Sequence, residues 1–270
     1  MGLLNIVKSS IMLSLYFYKN NKANFISMLI WPYLMLGLVV GLGFFIGDPN
    51  SFKRNVGLDV NPLTFFIAST IVAMSSIDVM WSIAGSIVFY RWVGVLEYIF
   101  LTPHRMSLTL ILSGIPSYIL NSTMFLLVLS PLLLLQEGLA LGLLKLAVIY
   151  IALILGMLPL IGFAVIFASL TLITEEEENF LQWLNPLILL FSGAFYPVYL
   201  LPWWVRMISM VLPSTYTIEL ARLTALMGSP DFGRFTFLIG VLFGLTLIYN
   251  LFAAGIVGHS ERLAMKKGVV

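Results

Sequence analysis

The sequence predicts an all-α membrane protein, a single domain of residues 1–270 built on six transmembrane helices. Three observations carry this: 60% of the residues are hydrophobic, only 10% are charged, and several uncharged runs reach the ~20 residues that cross a ~30 Å hydrocarbon core. A soluble chain has no means of hiding so many such runs from water. No polar block is long enough to fold alone, so no separate soluble domain is expected. The small basic excess gives no basis for nucleic-acid binding. Its Lys and Arg residues sit in short clusters beside apolar runs, where they set topology. The chain has no cysteine, which excludes disulfides and thiol chemistry. Residues 1 to 19 lack the short apolar core and small-residue cleavage site of a secretory signal.

From the N-terminus, residues 3 to 18 mix Leu3, Ile6, Val7, Ile11 and Leu15 with Asn5, Lys8, Ser9 and Ser10 at an approximate helical period. The pattern predicts an amphipathic interfacial helix lying on the membrane. Spans are expected at about Phe25 to Ile46, Leu63 to Phe89, Leu108 to Leu135, Leu143 to Ile173, Phe180 to Phe195 and Phe235 to Val257. The connector Tyr90 to Ser107 predicts a short amphipathic helix stopped at about Thr102 by Pro103; an ordinary interfacial connector fits the pattern as well. Between the fifth and sixth spans, Pro197, Pro202 and Pro213 preclude one straight helix, and Trp203 and Trp204 suit an interfacial depth. A segment that bends inside the bilayer must be covered by protein or water, so re-entrant helices are expected there. Glu219 and Arg222, three apart, fall on one helical face where they can pair. An even number of spans puts both termini on one side. Lys8, Lys19, Lys22, Arg91, Arg105, Arg262, Lys266 and Lys267 share that side, against Lys53, Arg54, Lys145, Arg206, Arg222 and Arg234. The bias favours cytoplasmic termini, more so once Arg206 and Arg222 are assigned to a re-entrant segment.

Within the second span, Ser75, Asp78, Ser82 and Ser86 are spaced three, four and four, near one helical face. An acid inside a span faces protein or a water-filled cavity. Asp78 therefore lines a pathway or is an interhelical hydrogen-bonding group, and the sequence leaves both open. Gly37 and Gly41, Gly43 and Gly47, and Gly240 and Gly244 form small-residue pairs, which suit close packing within the chain and against another subunit equally. Thr174 followed by Glu175 to Glu178 suits a capped helix start. A basic partner surface or a cation would also suit the run, although adjacent carboxylates on a helix point in different directions. His104 and His259 have no second ligand at metal spacing, so no metal site is expected.

No GxxxxGK[ST] loop occurs, so this chain does not bind nucleotide in that way. Neither G-x-S-x-G nor H-E-x-x-H is present, and no set of nucleophile, base and oxyanion donors stands out. The chain is not expected to be an enzyme, and a membrane-embedded enzyme or assembly factor is disfavoured. A secondary transporter driven by an ion gradient, with Asp78 as its proton or cation site, is the alternative read from the residues.

Two segments resemble the ABC-2 type permeases of ATP-binding-cassette exporters. One is RWVGVLEYIFLTPHRMSLTLILSGIPSYI, Arg91 to Ile119, similar to the family's R-x-x-G-T-L-E … T-P … G connector with Val95 where Thr is usual. The other is FSGAFYP, LPWW and LPSTYTIELAR, similar to the family's SG-x-x-x-P … LP-x-W … P-x-T-Y-x-x-E-x-x-R pattern. The resemblance covers nearly the whole chain. It implies a plasma-membrane exporter of two permeases, homo- or heterodimeric, and two P-loop ATPase subunits. ATP and Mg²⁺ would be held by the ATPase, and this chain would bind no cofactor. The connector would be a cytoplasmic coupling helix, with Arg91, Gly94, Glu97, Pro103 and Arg105 at the ATPase contact. Gly193, Pro197, Pro202, Trp203, Pro213, Tyr216, Glu219 and Arg222 would form an outer re-entrant gate, and Ser75, Asp78 and Ser82 a pathway. The implied cargo is hydrophobic or amphipathic, a drug, a lipid or a lipid-linked glycan, with the connector closer to the drug-export branch.

Overall fold

The computed structural model describes residues 3–46, 61–101, 106–173, 177–226 and 232–267, and those residues are helical with short turns and no strand. Helices α1 (Leu3–Asn20) and α2 (Lys22–Ile46) are separated at Asn21. Helix α3 (Pro62–Met80) runs through a π-helical turn, Trp81–Gly85, into α4 (Ser86–Trp92). The short α5 (Leu96–Phe100) precedes α6 (Met106–Glu137), α7 (Leu139–Ile173) and α8 (Glu177–Phe191). The proline-rich stretch forms α9 (Trp203–Val211) and α10 (Pro213–Arg222), flanked by 3₁₀ turns at Val198–Leu200 and Leu223–Leu226, before α11 (Phe232–Lys267). Among the described residues four helical stretches are long and apolar enough to cross a membrane: Pro62–Trp92, Leu108–Glu137, Leu139–Ile173 and Phe232–Ala264. The expectations on Lys53, Arg54, Gly47, Pro103, His104, Arg105 and Thr174 to Glu176 lie outside the described residues.

The contacts sort the helix ends into two groups. Asp78 meets Asn121 and Thr64 meets Glu137, so α3 and α6 are antiparallel. Lys145 bonds Glu137 at 2.7 Å, closing the α6–α7 hairpin, while Asn250 reaches Leu158 O, with α7 and α11 running in the same direction. One end of the bundle therefore holds Asn61, Glu137 and Phe232; the other holds Trp92, Met106, Ile173 and Lys267. We call them the Glu137 end and the Arg91 end. Helix α3 is buried on nearly every side, whereas α11 leaves most of its surface open. The first turn of α3 is capped by Asn61, whose Oδ1 accepts from Leu63 N at 3.1 Å, with Pro62 at the first helical position. Around this helix Ile67, Ile71, Leu129, Leu133 and Ile149 fill the core toward the Glu137 end; Ile83, Ile87, Leu160 and Ala164 fill it toward the Arg91 end.

Where lipid is the surrounding solvent, apolar burial alone drives no helix pairing, so close approach of small residues counts for more. A Cβ on Gly162 would sit 2.8 Å from backbone atoms of Tyr249 and Asn250, and one on Gly156 would collide with Thr217. These two glycines seat α7 against α11 and α10. The pairs the sequence singles out behave differently. Among the described residues Gly37, Gly41, Gly240 and Gly244 have nothing within 4 Å of an added Cβ, so packing against those residues does not explain them.

One expectation changes. The N-terminal helix does not lie across the spans: Ser10 bonds Ser113 O at 2.7 Å, Ser14 bonds Ser117 at 3.1 Å and Tyr18 bonds Asn121 at 2.6 Å. The constant offset of 103 residues over two helical turns means that α1 runs parallel to α6. A four-residue polar repeat on each helix makes that register. Helix α8 overlaps the expected Phe180 to Phe195 as far as Phe191; its 15 residues give about 22 Å of rise, shorter than a ~30 Å hydrocarbon core.

Candidate functional site

The proline-broken segment is a succession of helix starts. Pro197 and Pro202 precede the 3₁₀ turn and α9 as their N-caps, and Pro213 opens α10 at its first position. Proline fits there because its missing N–H is one that a helix start leaves unbonded anyway. Gly193 follows α8 with φ +77°, and an added Cβ would meet Val198 Cγ2 at 2.7 Å, so only glycine fits the turn.

Arg222, at the end of α10, binds this segment to α3. Its Nε donates to Ser69 Oγ at 2.7 Å, and one terminal nitrogen donates to the carbonyls of Gly193 and Ala194 at 2.8 and 2.9 Å. The guanidinium carbon lies 4.0 Å from the centre of the Phe65 ring, a cation–π distance. Arg222 is buried. The expected Glu219–Arg222 pairing is thus replaced: Arg222 faces inward to carbonyls, while Glu219 meets Arg234 at 3.8 Å near the surface. Tyr216 donates to Met210 O at 3.0 Å, tying α10 back to α9, and Trp203 is largely exposed. Gly193, Pro197, Pro202, Trp203, Pro213, Tyr216, Glu219 and Arg222 therefore belong to one structure, which starts at the Glu137 end, where Arg222 meets α3, and reaches the middle of the bundle, where Tyr249 bonds Val211 O and Gly156 meets Thr217.

The connector lies at the opposite end. Arg91 donates to Thr171 O and Leu172 O, each at 3.3 Å, covering the last carbonyls of α7. Gly94 has φ +72°. Its N–H bonds Arg91 O and the next N–H, of Val95, bonds Tyr90 O, the double closure that ends a helix at glycine. Glu97 is exposed in the first turn of α5, with Tyr98 and Leu101 also exposed. Arg91 and Gly94 thus shape the connector, and Glu97, Tyr98 and Leu101 form its free face.

The second-span polar residues divide. Ser75 is fully buried and bonds Ile71 O on its own helix. Asp78 Oδ1 accepts from Asn121 Nδ2 at 2.8 Å, and Asn121 Oδ1 accepts from Tyr18, so a chain of three side chains links α3, α6 and α1. Burial, and then the nearby Asp78 carboxylate, push the Tyr18 phenol up to about 12. Asp78 Oδ2 has no hydrogen-bond partner among the described protein atoms. Ser82 and Ser86 face a cavity of about 880 Å³ between α1, α4 and α6. The π-helical turn at its wall sets Trp81 against Gly85, where a Cβ would meet the indole at 2.6 Å. Such a turn inserts one residue into the helix and re-aims the side chains beyond it. Sequence reasoning missed this turn, the cavity and the part of Asn121; the matched four-residue spacings Ser10, Ser14, Tyr18 and Ser113, Ser117, Asn121 were the available signal.

Among the described residues no cluster of His, Asp and Glu is placed to hold a metal ion. Compared with known proteins, the chain matches no family model and no curated sequence.

Proposed function

We propose that the chain is the permease subunit of an ATP-driven exporter of the ABC-2 type, working as a pair of permeases with a separate P-loop ATPase that holds ATP and Mg²⁺. In this reading α2, α3–α4, α6, α7, α8 with its Gly193 turn, and α11 are six spans of the plasma membrane. The observation that carries it is the sorting of the two resembling segments to opposite ends of one bundle. The connector, the start of α1 and the end of α11 share the Arg91 end, and the proline-broken helices sit at the Glu137 end behind Arg222. A coupling surface and an outer gate require that separation.

Membrane depth agrees. Helix α6 has 32 residues, about 48 Å of rise, so it exceeds a ~30 Å core by about 18 Å. Glu137, Lys145 and Arg234 mark the boundary at one end. Measured from there, the core ends near Ser117, so α1 from its start to Ser14 sits at headgroup level on the cytoplasmic side, and its last turn, beside Asn121, dips into the core. Lys8 is exposed there, as a cytoplasmic basic residue should be. Helix α1 is then interfacial in depth but aligned with α6 in direction. The unpaired glycines of α2 and α11 suit approach by the second permease.

An exporter of this kind stops when ATP is removed and continues when ion gradients are collapsed. The alternative, gradient-driven transport through Asp78, has the unpartnered Oδ2 in its favour and reverses both outcomes. Transport assayed in inside-out vesicles with ATP withheld, and separately with ionophores added, decides between them.

A further inference from the structure

The cavity beside α1 has a wall of unusual hydrogen-bond character. On α1, Ser9 donates to Ile6 O and Ser10 to Ser113 O, and Ser14 shares a hydrogen with Ser117. Ser82 donates to Val79 O and Ser86 to Ile83 O. On α6, Ser113 donates to Leu110 O and Ser117 to Ser113 O. A hydroxyl has one hydrogen and two lone pairs; with each hydrogen committed, these serines offer the cavity acceptors. No Lys, Arg, Asp or Glu is among the described residues that line it, and Lys8 beside Ser9 is exposed instead. The rings of Trp81, Phe89, Tyr90 and Trp92 also line it, with Thr109 and Gln182 as further polar side chains. One helical turn beyond Ser82, the Asp78 carboxylate keeps an oxygen without a partner among the described residues.

An anionic head would meet oxygen lone pairs and aromatic faces, both repulsive to it. A cation that donates hydrogen bonds fits on every count: lone pairs, ring faces and the field of Asp78 in a low-dielectric surrounding all favour it. We propose that this cavity binds a lipophilic ammonium compound, its head among the serine oxygens and its apolar part against the aromatic rings. At about 880 Å³ the space matches pockets that take drug-sized ligands. The inference does not rest on the exporter reading; joined to it, the site names a cargo class.

The test uses the full chain in maltoside micelles, which carry no ammonium, and a dansyl probe ending in octylammonium, read by energy transfer from tryptophan. Saturable binding is expected, at least tenfold tighter than for the probe ending in octanol. Ser86→Leu and Ser9→Leu should each weaken it at least fivefold, and Asp78→Asn severalfold. Ser9 is exposed on α1, so its variant keeps the test valid where Ser86→Leu disturbs folding. Competition by short-chain phosphatidylethanolamine would assign the site to a lipid headgroup, and its failure to compete to a free amine; both support the ammonium site. Equal binding of the two probes, or binding indifferent to both leucine variants, overturns it. Because neither ATP nor transport enters the readout, failure of the site and failure of the exporter reading are separable.

Discussion

Replacing Arg222 by methionine keeps most of the side-chain volume and removes the guanidinium that joins α10, the Gly193 turn and α3. The Gly193 and Ala194 carbonyls lose their Arg222 donor, at about 1–3 kcal/mol for each buried group left unsatisfied. The ring contact with Phe65 is worth about 1–2 kcal/mol in a desolvated setting. Ser69 loses little, since its hydroxyl still donates to Phe65 O. Against these stands the relief of no longer holding a charge away from water, several kcal/mol for a buried ion. The balance is a loss of about 2–4 kcal/mol, because the carbonyl terms and the ring contact together exceed the relief. Reversible unfolding in mixed micelles, followed by tryptophan fluorescence, measures it, and hydrogen exchange should show faster amides at Val198 to Leu201. Arg222→Lys separates the causes. A lysine keeps the charge but not the planar fork that reaches three acceptors, so it should recover less than half of the loss. Arg222→Met within about 0.5 kcal/mol of the parent, or Arg222→Lys equal to it, would refute the reasoning.

Gly162→Ala should destabilise the bundle by about 1–3 kcal/mol, since the added methyl meets backbone of α11 that has no rotamer to change. Gly240→Ala, with open space around it, should leave the isolated chain unchanged, and by the proposed pairing it should weaken self-association measured by analytical ultracentrifugation. Tyr18→Phe should cost about 0.5–1.5 kcal/mol of α1 docking, read by protease sensitivity of the first 20 residues. The Tyr18 phenol is raised in the folded chain to about 12. Its contribution is therefore fully present below pH 10, is lost as pH rises from about 10 to 12, and that loss should be absent from the phenylalanine variant.

Much of the fold was legible because apolar run length is a direct statement about membrane crossing. The expected Leu63 to Phe89, Leu108 to Leu135 and Leu143 to Ile173 fall inside Pro62–Trp92, Leu108–Glu137 and Leu139–Ile173. The helices overshoot at their polar ends, most of all α11, which continues to Lys267 where hydropathy stops at about Val257, because helix geometry does not end where lipid does. The prolines announced the breaks at 197, 202 and 213 and also where the new helices begin. What hydropathy does not encode is partner choice. Arg222 and Glu219 share a face in sequence, yet Arg222 turns inward because two carbonyls, a hydroxyl and a ring converge there from two distant segments. Glycine spacing left packing within the chain and against another subunit open: Gly37 and Gly41 match a packing motif but face open space among the described residues, while Gly156 and Gly162, six apart, make close contacts within the chain. The direction of α1 needed both serine ladders, and only the helix that pairs with it reveals the first one.

The absence of cysteine makes single-cysteine cross-linking the most direct test of the central claim. Tyr98→Cys lies on the exposed face of the connector at the Arg91 end, and Trp203→Cys is exposed at the Glu137 end. With a short thiol-to-amine cross-linker in membranes that carry the native partners, Tyr98→Cys should capture a protein bearing GxxxxGK[ST], and Trp203→Cys should capture none. Capture of that ATPase from Trp203→Cys, or from neither position, would contradict the assignment of the chain as an ATP-driven permease.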